Sequence, residues 1–150
     1  MSRFCSFAAL VCLLLAAASA AHAGHRAMPT DTVRLASGVR YVVRMPGSGA
    51  PARPGDRMAV HYTGFLPDGR MFDSSAGQGR PLRLRVGRGE VIRGWDEVLL
   101  LLPAGTRAWV SIPAEQAYGS RGVRNPDDES RFLIPPNANL VFELEVVRIR

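Results

Sequence analysis

Seven aromatic and branched side chains, Tyr62, Phe72, Val91, Ile92, Trp95, Tyr118 and Phe142, fall near strand ends and loops, and the carboxylate of Asp73 directly follows one of them. Taken singly, each of these apolar side chains reads as core, and none of them makes or breaks bonds. Other chemistries lack their parts. Past residue 23 the histidines are His25 and His61 and no cysteine remains, which leaves too few members for a metal site or a histidine relay. His61 reads as a satisfied strand residue. No G-x-S-x-G, P-loop or G-x-G-x-x-G occurs, and the glycines of "AGQGRP" and "GRGE" sit in turns with no helix start in the required frame.

The elements that must position this set are strands and one helix. "GVRYVVRM" (38–45) and "DRMAVHYTGFL" (56–66) alternate or run β-branched and aromatic, on either side of a Pro/Gly-rich loop. Asp68-Gly69 is a turn signal before a short extended piece ending in "FDSS". "LRLRVG" (82–87) alternates strictly, and "RAWVSIP" and "NLVFELEVVRIR" complete the strands. Trp95, Val98, Leu99 and Leu102 recur at i, i+3, i+4 and i+7, which predicts a helix from Gly94 to about Leu102. Asp96 and Glu97 suit its positive first turn, and Pro103 and Gly105 stop it. The fold class is α+β: a bent antiparallel sheet of five to six strands wrapped on a single short helix. On periodicity alone Trp95 reads as a core residue rather than a site residue.

The first 23 residues carry one early Arg, an apolar run from Phe4 to Ala18 and a small-x-small ending at Ala21-His22-Ala23. This is the pattern of a secretory signal peptide cleaved before Gly24, and the run is shorter than the ~20 apolar residues a membrane span needs. Cleavage removes Cys5 and Cys12, so the mature chain has no disulfide and is compatible with an oxidising compartment, most simply a bacterial periplasm. Residues 24–37 form a short extension and 38–150 one domain. All 19 basic residues are Arg; without Arg3, 18 remain against 13 acids, a charge of +5. These arginines alternate with apolar residues along the chain, which argues against a nucleic-acid partner.

Five motifs in order, "VHYTG", "FDSS", "GEVIRGWDE", "AYG" and "IPPNANLVFELEV", resemble those of the FKBP-type peptidyl-prolyl cis-trans isomerases from about Gly38 to Arg150. The resemblance implies that Trp95 floors a proline pocket. Tyr62, Phe72 and Phe142 form its walls, Val91 and Ile92 its rim, and Tyr118 a further wall with a hydroxyl. Leu82 stands at a pocket-lining position, and Leu133 and Ile134 match a hydrophobic tip that overhangs the site. By the same resemblance the Ile92 N–H and the Tyr118 hydroxyl hold substrate carbonyls, with Asp73 beside the reacting one. "DSS" is equally a turn or capping signature, so Asp73 has a structural reading too; as an acceptor it would orient the Tyr62 hydroxyl. Catalytic roles thus fall to Tyr62, Asp73, Ile92 and Tyr118.

The activity implied is rotation about X-Pro bonds with no cofactor and no metal. The partners are proline-containing peptides and unfolded exported proteins, with macrolides such as rapamycin as candidate ligands. Against macrolide binding stand departures from the family pattern: Leu82 and Leu84 where aromatics are usual, Gln78 near Asp73 and Gln116 near Tyr118. A monomer free of the membrane after cleavage is expected, since only a few residues precede Val33. The segment from Ser120 to Ile134, with "RNPDDESR", reads as a solvated mixed-charge loop. The alternative function is a non-catalytic peptide-binding chaperone module using the same pocket.

Overall fold

The structure, a computed structural model, describes residues 31–150; the expected leader and cleavage point lie outside the described residues. Its strands are β1 (Val33–Arg34), β2 (Arg40–Met45), β3 (Arg57–Phe65), β4 (Met71–Ser74), β5 (Leu82–Arg85), β6 (Arg107–Ile112), β7 (Val123–Asn125), β8 (Asp128–Ile134) and β9 (Leu140–Ile149), and its helix is α1 (Arg93–Leu99). Seven strands form one antiparallel sheet in the order β1-β2-β6-β9-β3-β4, with β5 also paired to β3. The expected architecture holds, with one strand more than predicted. The addition is the two-residue β1, too short to leave a periodic signal.

Alternation explains which face each strand buries. In β3, Met58, Val60, Tyr62 and Gly64 face inward while Arg57, His61, Thr63 and Phe65 face out; in β9, Leu140, Phe142, Leu144 and Val146 are buried. Val98 and Leu99 of the helix, fully buried, close this core against Val110 and Ile112 of β6.

The helix is shorter than its apolar period. After Leu99 the chain tightens: the Leu101 and Leu102 amides donate to the Val98 and Leu99 carbonyls, three residues back, at 3.0 and 3.4 Å. The residue before a proline avoids the helical region, so Pro103 forces this ending while Leu102 stays in the core. At the other end Gly94 is a packing requirement, since a Cβ there would lie 2.6 Å from Ile112 Cγ2. Glycine lets the helix backbone settle onto β6, and the next residue, Trp95, is buried.

The expected loop 120–134 is largely a hairpin. β7 and β8 pair Val123 with Ile134, Arg124 with Phe132 and Asn125 with Asp128. Its turn is made by side chains: Asn125 Oδ1 accepts from the Asp127 amide at 2.9 Å and Asp128 Oδ1 from the Ser130 amide at 3.1 Å. The Arg124 guanidinium lies 3.9 Å from the Phe132 ring centre, covering its apolar face.

Candidate active site

Helix and sheet leave a cavity of about 160 Å³ between them, lined by Tyr62, Phe72, Asp73, Leu82, Glu90, Val91, Ile92, Trp95, Tyr118 and Phe142. β3 supplies Tyr62, β4 Phe72 and Asp73, β5 Leu82 and β9 Phe142. The turn into α1 supplies Val91 and Ile92, and the segment after β6 supplies Tyr118. Nine of the eleven side chains expected at the site therefore meet in one place. The exceptions are Leu133 and Ile134. Ile134, opposite Val123 at the end of β8, is a buried core residue, and Leu133 packs half-buried against the same core, so neither forms a wall of this cavity.

Trp95 is the centre of the aromatic packing. Its ring meets Tyr62 edge-on at 5.1 Å and Phe142 at 5.2 Å, and Phe142 in turn meets Phe72 at 5.7 Å. Edge-to-face contacts of this kind fix ring orientation as well as burying area. The Trp95 Nε1–H is buried with no acceptor among the described residues. A buried indole ordinarily finds a partner, so this donor is a cost carried by a ring that lines the cavity. Gly64 makes room for the rings: a Cβ there would stand 2.5 Å from Phe72 and 2.9 Å from Phe142.

The polar edge is built around Tyr62. Its hydroxyl donates to Asp73 Oδ2 at 2.6 Å, and Asp73 Oδ1 accepts from the Ser74 amide at 2.8 Å. Ser75, buried, accepts from the Tyr62 amide at 3.0 Å, and its Oγ lies 2.9 Å from His61 Nδ1. The three residues of "DSS" thus divide the work: Asp73 fixes the Tyr62 ring tip, Ser75 fixes its backbone, and Ser74 caps the following turn by accepting from the Ala76 amide. Asp73 has the acceptor geometry expected of it, and His61 is a satisfied strand residue. Burial, then the hydrogen bond to Asp73 and its charge, push the Tyr62 phenol far above its ordinary value, against a smaller opposing effect of Gln78. Burial and the charge of Asp73 also raise Tyr118. Both phenols stay protonated donors at neutral pH.

Two features absent from the sequence reading complete the site. Glu90 borders the cavity, and its Oε2 accepts from the Arg85 amide at 2.8 Å. Asp96 accepts from the Gly87 and Gly89 amides at 2.8 and 2.7 Å, tying the turn that carries Val91 and Ile92 to the helix. Its place in the first turn is legible in the sequence; its grip on the preceding loop is not. The Ile92 carbonyl starts the helix by accepting from Trp95 and Asp96, while the Ile92 N–H makes no hydrogen bond among the described residues.

Comparison with known proteins agrees with this fold. A sequence model of the FKBP-type peptidyl-prolyl cis-trans isomerases matches residues 49–147. The chain belongs to that family. It is 42% identical over 113 residues to the peptidyl-prolyl cis-trans isomerase Fkbp12 of Drosophila melanogaster, covering 75% of this chain and 98% of the fly protein. The crystal structure of AtFKBP13 superposes with a TM-score of 0.73 at 36% identity, covering 80% of this chain and 99% of that one. A peptidyl-prolyl cis-trans isomerase from Pseudomonas syringae pv. tomato gives 0.67 at 36% identity, over 82% and 83%. The protein is thus an FKBP-type peptidyl-prolyl cis-trans isomerase with an antiparallel sheet and, among the described residues, a single α-helix.

Proposed function

We propose that this isomerase accelerates rotation about X-Pro bonds of exported polypeptides, and that it does so by apolar enclosure of the twisted imide without proton transfer. The observation that carries the mechanism is the direction of the Tyr62 hydroxyl: its proton is committed to Asp73, so Tyr62 presents its ring to the cavity and not a free acid. The planar amide owes its ~18–20 kcal/mol barrier to resonance, which also makes it dipolar. Twisting abolishes resonance and returns a lone pair to nitrogen. Walls that replace water around the planar dipole with Phe72, Trp95 and Phe142 therefore favour the twisted form, and ~5–6 kcal/mol of such preference corresponds to about 10⁴-fold.

Positioning falls to the groups left unpaired at the rim. The Ile92 N–H and the Tyr118 hydroxyl, which makes no intramolecular hydrogen bond among the described residues, hold the carbonyls that flank the proline. Tyr118 is 41% exposed, so its hydroxyl reaches an incoming chain. The Asp73 carboxylate orients Tyr62 and places negative charge at the cavity edge. The enclosed volume suits one proline ring, and the same walls, with Leu82 among them and Leu84 withdrawn into the core, offer FK506-type macrolides a small version of such a pocket.

The test is a direct cis-to-trans assay on a short Ala-Pro peptide in the presence of EDTA: acceleration by the purified protein supports the reading, and its absence overturns it. Export is supported by the leader pattern, and the proposed compartment is a bacterial periplasm. Mass measurement of the expressed protein should find a chain beginning at Gly24; retention of residues 1–23 contradicts export with cleavage. A monomer is proposed for the mature chain, and sedimentation at micromolar concentration tests it.

A further inference from the structure

Arginines that alternate along the sequence are gathered by the sheet. In the register of β5, β3 and β9, Arg57 faces Arg85 on one side and exchanges both backbone hydrogen bonds with Arg150 on the other, at 2.8 Å each. One step along, Ala59 faces Arg83 on one side and Arg148 on the other. Cross-strand partners share a face. The outer surface therefore carries two rows of three, with arginine at five positions and the small, buried Ala59 at the sixth. A hollow of about 370 Å³ opens over that alanine.

Placing like charges directly opposite one another opposes folding. Among the described residues none of these five arginines is in an ion pair; the two pairs present join Arg70 to Asp68 and Arg107 to Glu145. Glu90 is the one acid lining the hollow, and its Oε2 is engaged by the Arg85 amide. An arrangement that the fold does not need and does not neutralise fits an external anion. Guanidinium groups are suited to carboxylates, which they grip through two parallel N–H donors.

The hollow adjoins the proline cavity. Glu90 borders both, and along β5 the side chain of Leu82 lines the cavity on one face while Arg83 and Arg85 stand on the other. We propose that the arginine grid docks an acidic segment, rich in Asp or Glu, flanking the proline of a client polypeptide. The identity of the client rests on the isomerase reading above; the binding of acidic peptide does not. Single-stranded nucleic acid is the less suitable occupant, because the hollow is floored by Ala59 and Met58 and lined by no aromatic ring on which bases stack.

The experiment compares the protein with the Arg83→Gln/Arg148→Gln double variant, which removes two charges from the outer row positions without touching the proline cavity. Fluorescence anisotropy with a labelled, proline-free Glu-Ser peptide reads docking alone. Two exposed charge contacts predict binding about tenfold weaker in the variant, with added salt weakening the parent protein in the same way. In the isomerase assay the parent protein should turn over an Ala-Pro peptide with a Glu-Ser tail with kcat/KM about tenfold above a Ser-tailed one, and the variant should turn over the two peptides with equal kcat/KM. The Ser-tailed rate should be the same in both proteins. Equal affinity of parent and variant for the Glu-Ser peptide overturns the proposal, as does its displacement by a lower concentration of a single-stranded oligonucleotide of equal charge. Arginine-dependent binding without acceleration of either proline peptide would sustain the docking surface and overturn the activity.

Discussion

Replacing Tyr62 by Phe removes one oxygen and leaves the ring that packs on Trp95, so it isolates the bond to Asp73. A hydrogen bond to a charged acceptor contributes ~1.5–3 kcal/mol net, but Asp73 is exposed and regains water, so the expected loss is about 1 kcal/mol, or ~4 °C in Tm for a domain of this size. The loss should depend on pH. The folded protein holds this phenol protonated far above its ordinary value of 10.0, and a raised pKa contributes stability that is present below the unfolded value and lost as pH rises. The difference between parent and Tyr62→Phe, measured by urea titration, should accordingly be full at pH 7 and shrink above pH 10. Activity separates the two mechanisms. Enclosure by apolar walls predicts a fall in kcat/KM of less than about tenfold, whereas general acid catalysis by this hydroxyl predicts ~10²–10⁴-fold. A hundredfold fall in kcat, or a stability difference unchanged from pH 7 to 11, would refute the reasoning.

Gly94→Ala should destabilise by ~1–3 kcal/mol in a denaturant titration although alanine is the better helix former, because its Cβ meets Ile112; a stabilised variant would show that the helix is free to move off β6. Trp95→Ala removes a buried indole, with an expected cost of ~3–5 kcal/mol and weakened peptide binding, while Asp73→Ala should lower kcat more than it raises KM. Equal losses of binding and turnover in the two, read from titration and kinetics on the folded fraction, would return Asp73 to a structural role. Trimming the hairpin turn between Asn125 and Glu129 should change stability by less than about 0.5 kcal/mol, since these residues lie at the surface or turn away from the core; a larger thermal shift would mean that the hairpin supports Ile134 in the core.

The parts of the site legible in sequence were those carried by period and by motif order. Alternation in "DRMAVHYTGFL" and "NLVFELEV" gives the faces of β3 and β9, and hence Tyr62 and Phe142 inward, and the helical period gives Trp95. What could not be read is what depends on contacts between distant segments. Whether Ile134 packs in the core or over the pocket is decided by its pairing with Val123 across a turn. The hairpin had a local signal, the Asn125-Pro126 turn dipeptide, which the density of charge around it obscured. Ser75, Asp96 and Glu90 act through backbone amides 5 to 13 residues away, and such bonds leave no periodic trace. The arginine grid is the clearest case: alternation disperses these residues along the chain, and only the register of three strands brings them together.

The central claim, that enclosure rather than proton transfer lowers the barrier, is tested most directly by the solvent isotope effect. The rate of cis-to-trans conversion of an Ala-Pro peptide is measured in H₂O and in D₂O under saturating and limiting peptide, with the purified protein and EDTA. No proton moves between heavy atoms when the Tyr62 hydroxyl remains with Asp73, so kcat and kcat/KM should be equal in the two solvents. Slower turnover in D₂O that disappears in Tyr62→Phe would contradict the account and assign the hydroxyl an acid's role.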